Sequence, residues 1–150
     1  MTLATRAQAE RLLGRFLADD AHYRSSAARY GDGGAQALTR ALDLFVARPE
    51  LGFVWLAFIG ATVVGACVVC YAISTSRGGL VAKLDDVTID ASRQRQGIGT
   101  AMLQALVDHL RQRGVSRIDT ACHRDNAAAR RFYARHGFRS LDEERIALLI

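Results

Sequence analysis

Residues 51–73 form an uncharged run of 23 residues, and no other feature restricts the fold of this chain so tightly. A run of that length must leave water, either as one helix across a bilayer or as two strands inside a protein. Its Val, Ile, Phe, Trp and Cys content is that of strands, and Gly60 stands where a tight turn would join them. The reading is a buried hairpin, strands 53–58 and 62–73 turning at Ile59-Gly60-Ala61. The flanking charges Arg48, Glu50 and Arg77 give no topological bias, and no membrane association is expected.

Such a hairpin needs further elements to cover it. Ala9, Leu12, Leu13, Phe16 and Leu17 mark one face of a helix over 7–17. Three glycines in 30–34 predict a loop, and Leu38, Ala41, Leu42 and Phe45 a second helix over 35–47, with Pro49 just past its end. A polar loop at 74–79 leads to a strand over 80–89, with Val87 and Ile89 on one face and Asp86 and Thr88 on the other. Ile98, Met102, Leu106 and Leu110 recur every four residues in a helix over 97–113 that Gly114 stops. A strand over 115–122 follows, then a helix over 126–136 with Asn126 as N-cap and Gly137 ending it. Phe138 opens a last strand region running to 150. The fold class is α/β, a mixed sheet flanked by about four helices, in a single domain over 1–150.

The net charge of +5 favours an anionic partner: nucleic acid, membrane or a phosphorylated cofactor. No aromatic–basic interleaving or helix-turn-helix pattern is present, so nucleic acid is not expected. Three cysteines make no paired framework, and Cys67 and Cys70, three apart on a strand, point to opposite faces. No clustered ligand spacing suggests a metal. The N-terminus lacks the pattern of a secretory signal, and a cytoplasmic location is the expectation.

Gly97-Ile-Gly99 falls between a strand and the long amphipathic helix. Glycines there let backbone N–H groups close on an oxyanion, and a helix N-terminus favours phosphate. Other phosphate motifs fit worse. A P-loop needs Gly-Lys-Ser/Thr where this chain has Gly99-Thr-Ala, and Met102 occupies the third small position of a dinucleotide fingerprint.

Asp86-Val-Thr-Ile-Asp90 followed by Gln94-Arg-Gln-Gly-Ile-Gly99 resembles the central signature of the GNAT acetyltransferase superfamily, Gln/Arg-x-x-Gly-x-Gly/Ala after a strand. Asn126-Ala-Ala-Ala-Arg-Arg-Phe-Tyr-Ala-Arg-His-Gly-Phe138 is similar to that family's second hallmark, in the same order and at the same separation. The resemblance implies a GNAT-type acyl-CoA N-acyltransferase fold and an acetyl-CoA-dependent N-acetyltransferase. It implies that the backbone of Gln94, Arg95, Gln96, Gly97, Ile98 and Gly99, with Thr100, holds the coenzyme A pyrophosphate. Val87 and Ile89 would lend main chain to the pantetheine arm, Ile89 N–H would polarise the acetyl carbonyl, and Asn126 would contact the cofactor. Tyr133 would protonate the departing thiolate.

A bland account stands beside each assignment. Tyr133, next to Phe132, reads as core on residues alone. Asp85 and Asp86 are candidates for the general base, or for a solvated strand edge. Some relatives carry Glu five residues before the motif Asn, where this chain has Ala121. The acceptor is read as a small-molecule amine, with a protein N-terminus or lysine, and a non-catalytic acyl-CoA-binding module, as alternatives. Twelve residues follow Phe138, and completion of the sheet by a second subunit, a homodimer, is one expectation.

Overall fold

The uncharged run folds as two strands. In the computed structural model, which describes residues 1–30, 33–143 and 146–148 and the side chains of all but 26–30 of these, β1 (Gly52–Ile59) and β2 (Thr62–Ser74) form an antiparallel hairpin. Gly60 turns it at a φ of 58°. β3 (Gly79–Ile89) pairs antiparallel with β2, and β4 (Ile118–Thr120) parallel with β3, giving the order β1-β2-β3-β4. Among the described residues no helix is long and apolar enough to cross a membrane.

Helices cover both faces: α1 (Leu3–Asp19), α2 (Ala21–Tyr30) and α3 (Gly34–Ala47) before the sheet, α4 (Ile98–Gln112) and α5 (Ala127–Arg135) around β4. Strand alternation divides the apolar side chains into two cores. On one face Cys67, Val69, Ala82 and Leu84 meet Met102, Leu103, Leu106 and Leu110 of α4, with Phe132 of α5 alongside. On the other Val54, Ala66 and Val68 meet Leu12 and Leu13 of α1 and Leu42 of α3. Cys67 lies in the first core and Cys70 packs against the second, the opposition their spacing predicts.

Several expectations need correction. Helix α1 begins at Leu3 rather than residue 7, its first turn closed by Thr2 N–H donating to the Thr5 hydroxyl at 2.9 Å. Helix α2 was not foreseen, because Ala21-His-Tyr-Arg-Ser-Ser has no apolar period; a capping signal was there, since the Asp20 carboxylate accepts the Tyr23 N–H at 2.7 Å. Among the described residues there are therefore five α-helices, against the expected number of about four. Tyr30 ends α2 and Gly34 begins α3, so the predicted loop shrinks, and its residues 31 and 32 lie outside the described set. Strand β4 spans three residues, not eight, because it leaves β3 after Leu84↔Thr120. The predicted terminal strand is absent from 138–143 and 146–148, where Leu141, Ile146 and Leu148 are exposed; 144, 145, 149 and 150 lie outside the described residues. So short a β4 offers few ladder bonds on which another strand could build.

One irregularity positions the site. Between Ala66↔Thr88 and Val68↔Asp85 the register of β2 and β3 shifts by one residue, and Asp86 there has a φ of 44°. Aspartate is among the few side chains that tolerate this left-handed region. The bulge reverses the alternation. Asp85 stays opposite Val68 on the α1 side, whereas Val87 and Ile89 pack on the α4 side with Leu84. Gly65 makes room for this: a Cβ there would lie 2.6 Å from Ile89 Cδ1 and 3.1 Å from Met102 Sδ.

Candidate functional site

β3 and β4 pair from Ala82↔Ile118 to Leu84↔Thr120 and then part. Beyond that point β3 has an edge that its neighbour does not cover. Asp90 N–H donates to Val64 C=O of β2 at 2.8 Å, while the Gln94 amide donates to Ile89 C=O at 3.1 Å from the far side. Since backbone groups alternate along a strand, Ile89 turns its main chain toward the gap.

The segment leading out of β3 holds itself in place. Asp90 accepts the Ser92 N–H at 3.1 Å, the Ser92 hydroxyl at 2.7 Å and Arg15 of α1 at 3.0 Å. Those Ser92 bonds, with Arg15 adding to them, hold the Asp90 carboxyl below its ordinary range. Gln96 donates to Ser92 C=O at 3.2 Å, and Arg95 and Gly97 take φ of 60° and 81°. The chain thus curls over the start of α4.

That helix end is built for an anion. The first α4 turn closes with Ala101 N–H on Gly97 C=O, leaving the N–H groups of Ile98, Gly99 and Thr100 ahead of the helical ladder. Among the described residues no side chain caps them and a Cβ at Gly97 would meet nothing within 4 Å, and no acid stands in the first turn. Helix α5 differs, being capped from within: Asn126 Oδ1 accepts the Ala129 N–H at 3.0 Å. A diphosphate fits the α4 end in charge and in donors. Beside it, His136 Nε2 lies 3.4 Å from the Thr100 hydroxyl.

Tyr133 approaches the same gap from α5, its ring against Phe132 and Phe138 at centroid distances of 5.4 and 5.2 Å. Burial pushes its phenol up to about 12; Thr120 hydrogen bonding opposes the shift, while the nearby Cys67, Cys122 and Asp85 add to it. It is a neutral proton donor across the physiological range. Thr120, whose hydroxyl donates to Leu84 C=O at 3.2 Å, stands where the two strands part; nothing in the sequence pattern marked it.

Asp85 lies on the opposite face of the sheet, joined to Lys83 at 2.6 Å. Asp86 is the bulge residue, and its contribution to the fold is first of all its backbone. The two adjacent acids thus have separate places. Also on the α1 and α2 side, His22 of α2 and His123 beyond β4 bring their rings to 5.3 Å. That contact was illegible without α2. The structure therefore gathers Val87, Ile89, 94–100 and Tyr133 along the gap, with Asp85 behind it and Asn126 capping the helix that carries Tyr133.

Comparison with known proteins bears on the family and on the fold. The family model described as "Acetyltransferase (GNAT) family" matches residues 18–138. The [ribosomal protein bS18]-alanine N-acetyltransferase of Escherichia coli K12 is 40% identical over 57 residues, which span 38% of this chain and 38% of that protein. Among solved structures, a predicted acetyltransferase with acetyl-CoA from Clostridium acetobutylicum superposes with a TM-score of 0.73 at 18% identity, covering 97% of this chain and 90% of the other. The ribosomal-protein-alanine N-acetyltransferase of Brucella melitensis biovar Abortus 2308 gives 0.71 at 15% identity, covering 100% and 96%. At those identities the structures attest to the fold.

Proposed function

Because this chain belongs to the GNAT acetyltransferase family, we propose that it transfers the acetyl group of acetyl-CoA directly to a primary amine, using the gap between β3 and β4. The single observation that carries this reading is the uncapped, acid-free N-terminus of α4 at the mouth of that gap. The N–H groups of 98–100 and the backbone of Gln94, Arg95, Gln96 and Gly97 hold the pyrophosphate, and Val87 and Ile89 line the pantetheine arm. Asn126, besides capping α5, reaches the same arm. Thioester chemistry brought to the gap then meets two faces with different equipment.

The amine enters from the side of Asp85 and attacks the carbonyl carbon, which the Ile89 N–H polarises. The C–N bond forms as the C–S bond breaks. The ammonium first loses one proton to Asp85 or through water to solvent; Tyr133 then gives its proton to the departing sulfur, and the second proton that nitrogen loses once the C–N bond has formed returns through water to Tyr133. No covalent enzyme intermediate is involved. The reading places the whole activity in one domain, 1–150, in the cytoplasm.

The acceptor is a small molecule carrying a primary amine. The likeness to a ribosomal-protein-alanine N-acetyltransferase favours a second reading, an N-terminal peptide amine as acceptor. Purified protein given acetyl-CoA and a panel of amines and short peptides should release free thiol, followed with a thiol-reactive dye. Coenzyme A affinity with no turnover across the panel supports a non-catalytic binding module instead, and no affinity in calorimetry removes both readings.

A further inference from the structure

The sheet face that Asp85 shares holds a cleft of about 380 Å³ immediately before the point where β3 and β4 part. Its lining includes Ser74, Thr75, Lys83, Arg117 and Asp119. Lys83 and Asp119 stand directly opposite each other in the β3–β4 ladder, and Cys70 and Val68 fix Lys83 and Asp85 on the same face. The charges form two ion pairs, Lys83–Asp85 at 2.6 Å and Arg117–Asp119 at 2.9 Å. All four side chains keep between 33% and 43% of their surface exposed. The order from the gap outward is carboxylate, then ammonium beside carboxylate, then guanidinium.

From this order we infer that the acceptor is an amine that also carries a carboxylate, set roughly 7 to 13 Å from the reacting nitrogen, two to four strand residues away. The inference rests on the acetyl-transfer reading above and deepens it. Asp85, nearest the gap, attracts the incoming ammonium. The far end is held by Arg117, whose Nε and one terminal nitrogen are engaged with Asp119, leaving its second terminal nitrogen to donate outward. Lys83, with one N–H on Asp85, has two more to give. An acceptor with an amine alone satisfies Asp85 and leaves the guanidinium end to water. One with a second anion near the amine cannot reach that end. Short peptides with a free C-terminus and ω-amino acids both have the required span.

The experiment compares matched pairs on the full chain with acetyl-CoA: 6-aminohexanoate against 6-aminohexanamide, and Ala-Gly-Gly against its C-terminal amide. For at least one pair kcat/KM should favour the free acid by about tenfold at low salt, as a charge-assisted contact in a partly exposed cleft would give. The pair that shows the preference tells a peptide from a free ω-amino acid. Arg117→Gln should bring that ratio toward one, and Arg117→Lys should restore part of it, a pattern that misfolding does not produce because the ratio is internal to each protein. Turnover of acid and amide at equal rates in both pairs, or a ratio untouched by Arg117→Gln, overturns the inference and leaves acetyl transfer standing. No turnover of any member by folded protein, as judged by circular dichroism, removes the transferase reading and this inference together.

Discussion

Replacing Tyr133 by phenylalanine keeps a ring that packs on Phe132 and Phe138 and removes only the hydroxyl. If that hydroxyl delivers a proton to the leaving sulfur, kcat should fall by about 10²- to 10⁴-fold, the range of a general acid, with coenzyme A affinity unchanged. The pH profile carries the same assignment further. A phenol raised from 10 to about 12 is still protonated at any pH where the acceptor amine becomes neutral. In wild-type protein kcat should therefore rise or hold from about pH 7 to about pH 10, as the amine loses its proton, and decline only near the phenol's own range. A fall in kcat centred below about pH 9 would mean that some other group supplies the proton. The sign for stability is the reverse of the usual carboxylate case. The folded chain keeps the Tyr133 proton longer than the unfolded chain, so this contribution is whole below pH 10 and is lost as pH climbs through 12.

Among the elements, α5 ties a structural and a functional duty to one residue. Asn126 caps it through Oδ1, so Asn126→Ala should cost about 1 kcal/mol in urea unfolding, and Asn126→Ser should recover most of that. If Asn126 also touches the cofactor arm, the serine variant will fold normally and still bind coenzyme A more weakly; equal affinity would reduce Asn126 to a cap. β2 makes a similar demand at Gly65, where alanine would force Ile89 or Met102 to move; Gly65→Ala should destabilise by about 1–3 kcal/mol and disturb acetyl-CoA turnover through Ile89. These elements also separate what could be read in advance from what could not. An uncharged, strand-forming run with Gly60 located the hairpin, alternation located β3, and a period-3.6 apolar stripe before Gly114 located α4, because each buries apolar side chains against a neighbour; α5 was legible from its cap Asn126 and from Gly137. Helix α2 has no such stripe, β4 depends on the length of a neighbour's edge, and the Asp86 bulge depends on pairing register with β2. The turn of 94–100 into the start of α4 was legible because its glycines act through local backbone. Thr120, Lys83 and Arg117 were not, since their meaning comes from which face of the sheet they share and with whom.

At the scale of the whole molecule, two cores sit on opposite faces of one sheet, and the pairing of β3 with β4 ends at Leu84↔Thr120 between them. On the proposed reading the carrier's phosphates and Tyr133 belong to the α4 and α5 side, and the acceptor's charges to the α1 and α2 side. That division separates two electrostatic tasks that salt should distinguish. The chain carries a net charge of +5, and Arg93, Arg95, Arg124, Arg130 and Arg131 flank the two motifs. A polyanionic carrier is drawn by that field over distances comparable with the Debye length, about 10 Å at 0.1 M salt. Raising salt from about 0.05 to about 0.5 M should therefore raise KM for acetyl-CoA about two- to fivefold. If, with the carrier seated, bond making and breaking occur against Ile89 N–H and the partly buried Tyr133 phenol, out of reach of screening ions, kcat at saturation should stay nearly constant. Initial-rate kinetics at four salt concentrations would separate the two parameters. A kcat that falls in step with the rise in KM would mean that the reacting groups are as open to solvent as the surface arginines, and that the gap between β3 and β4 does not shelter the reaction.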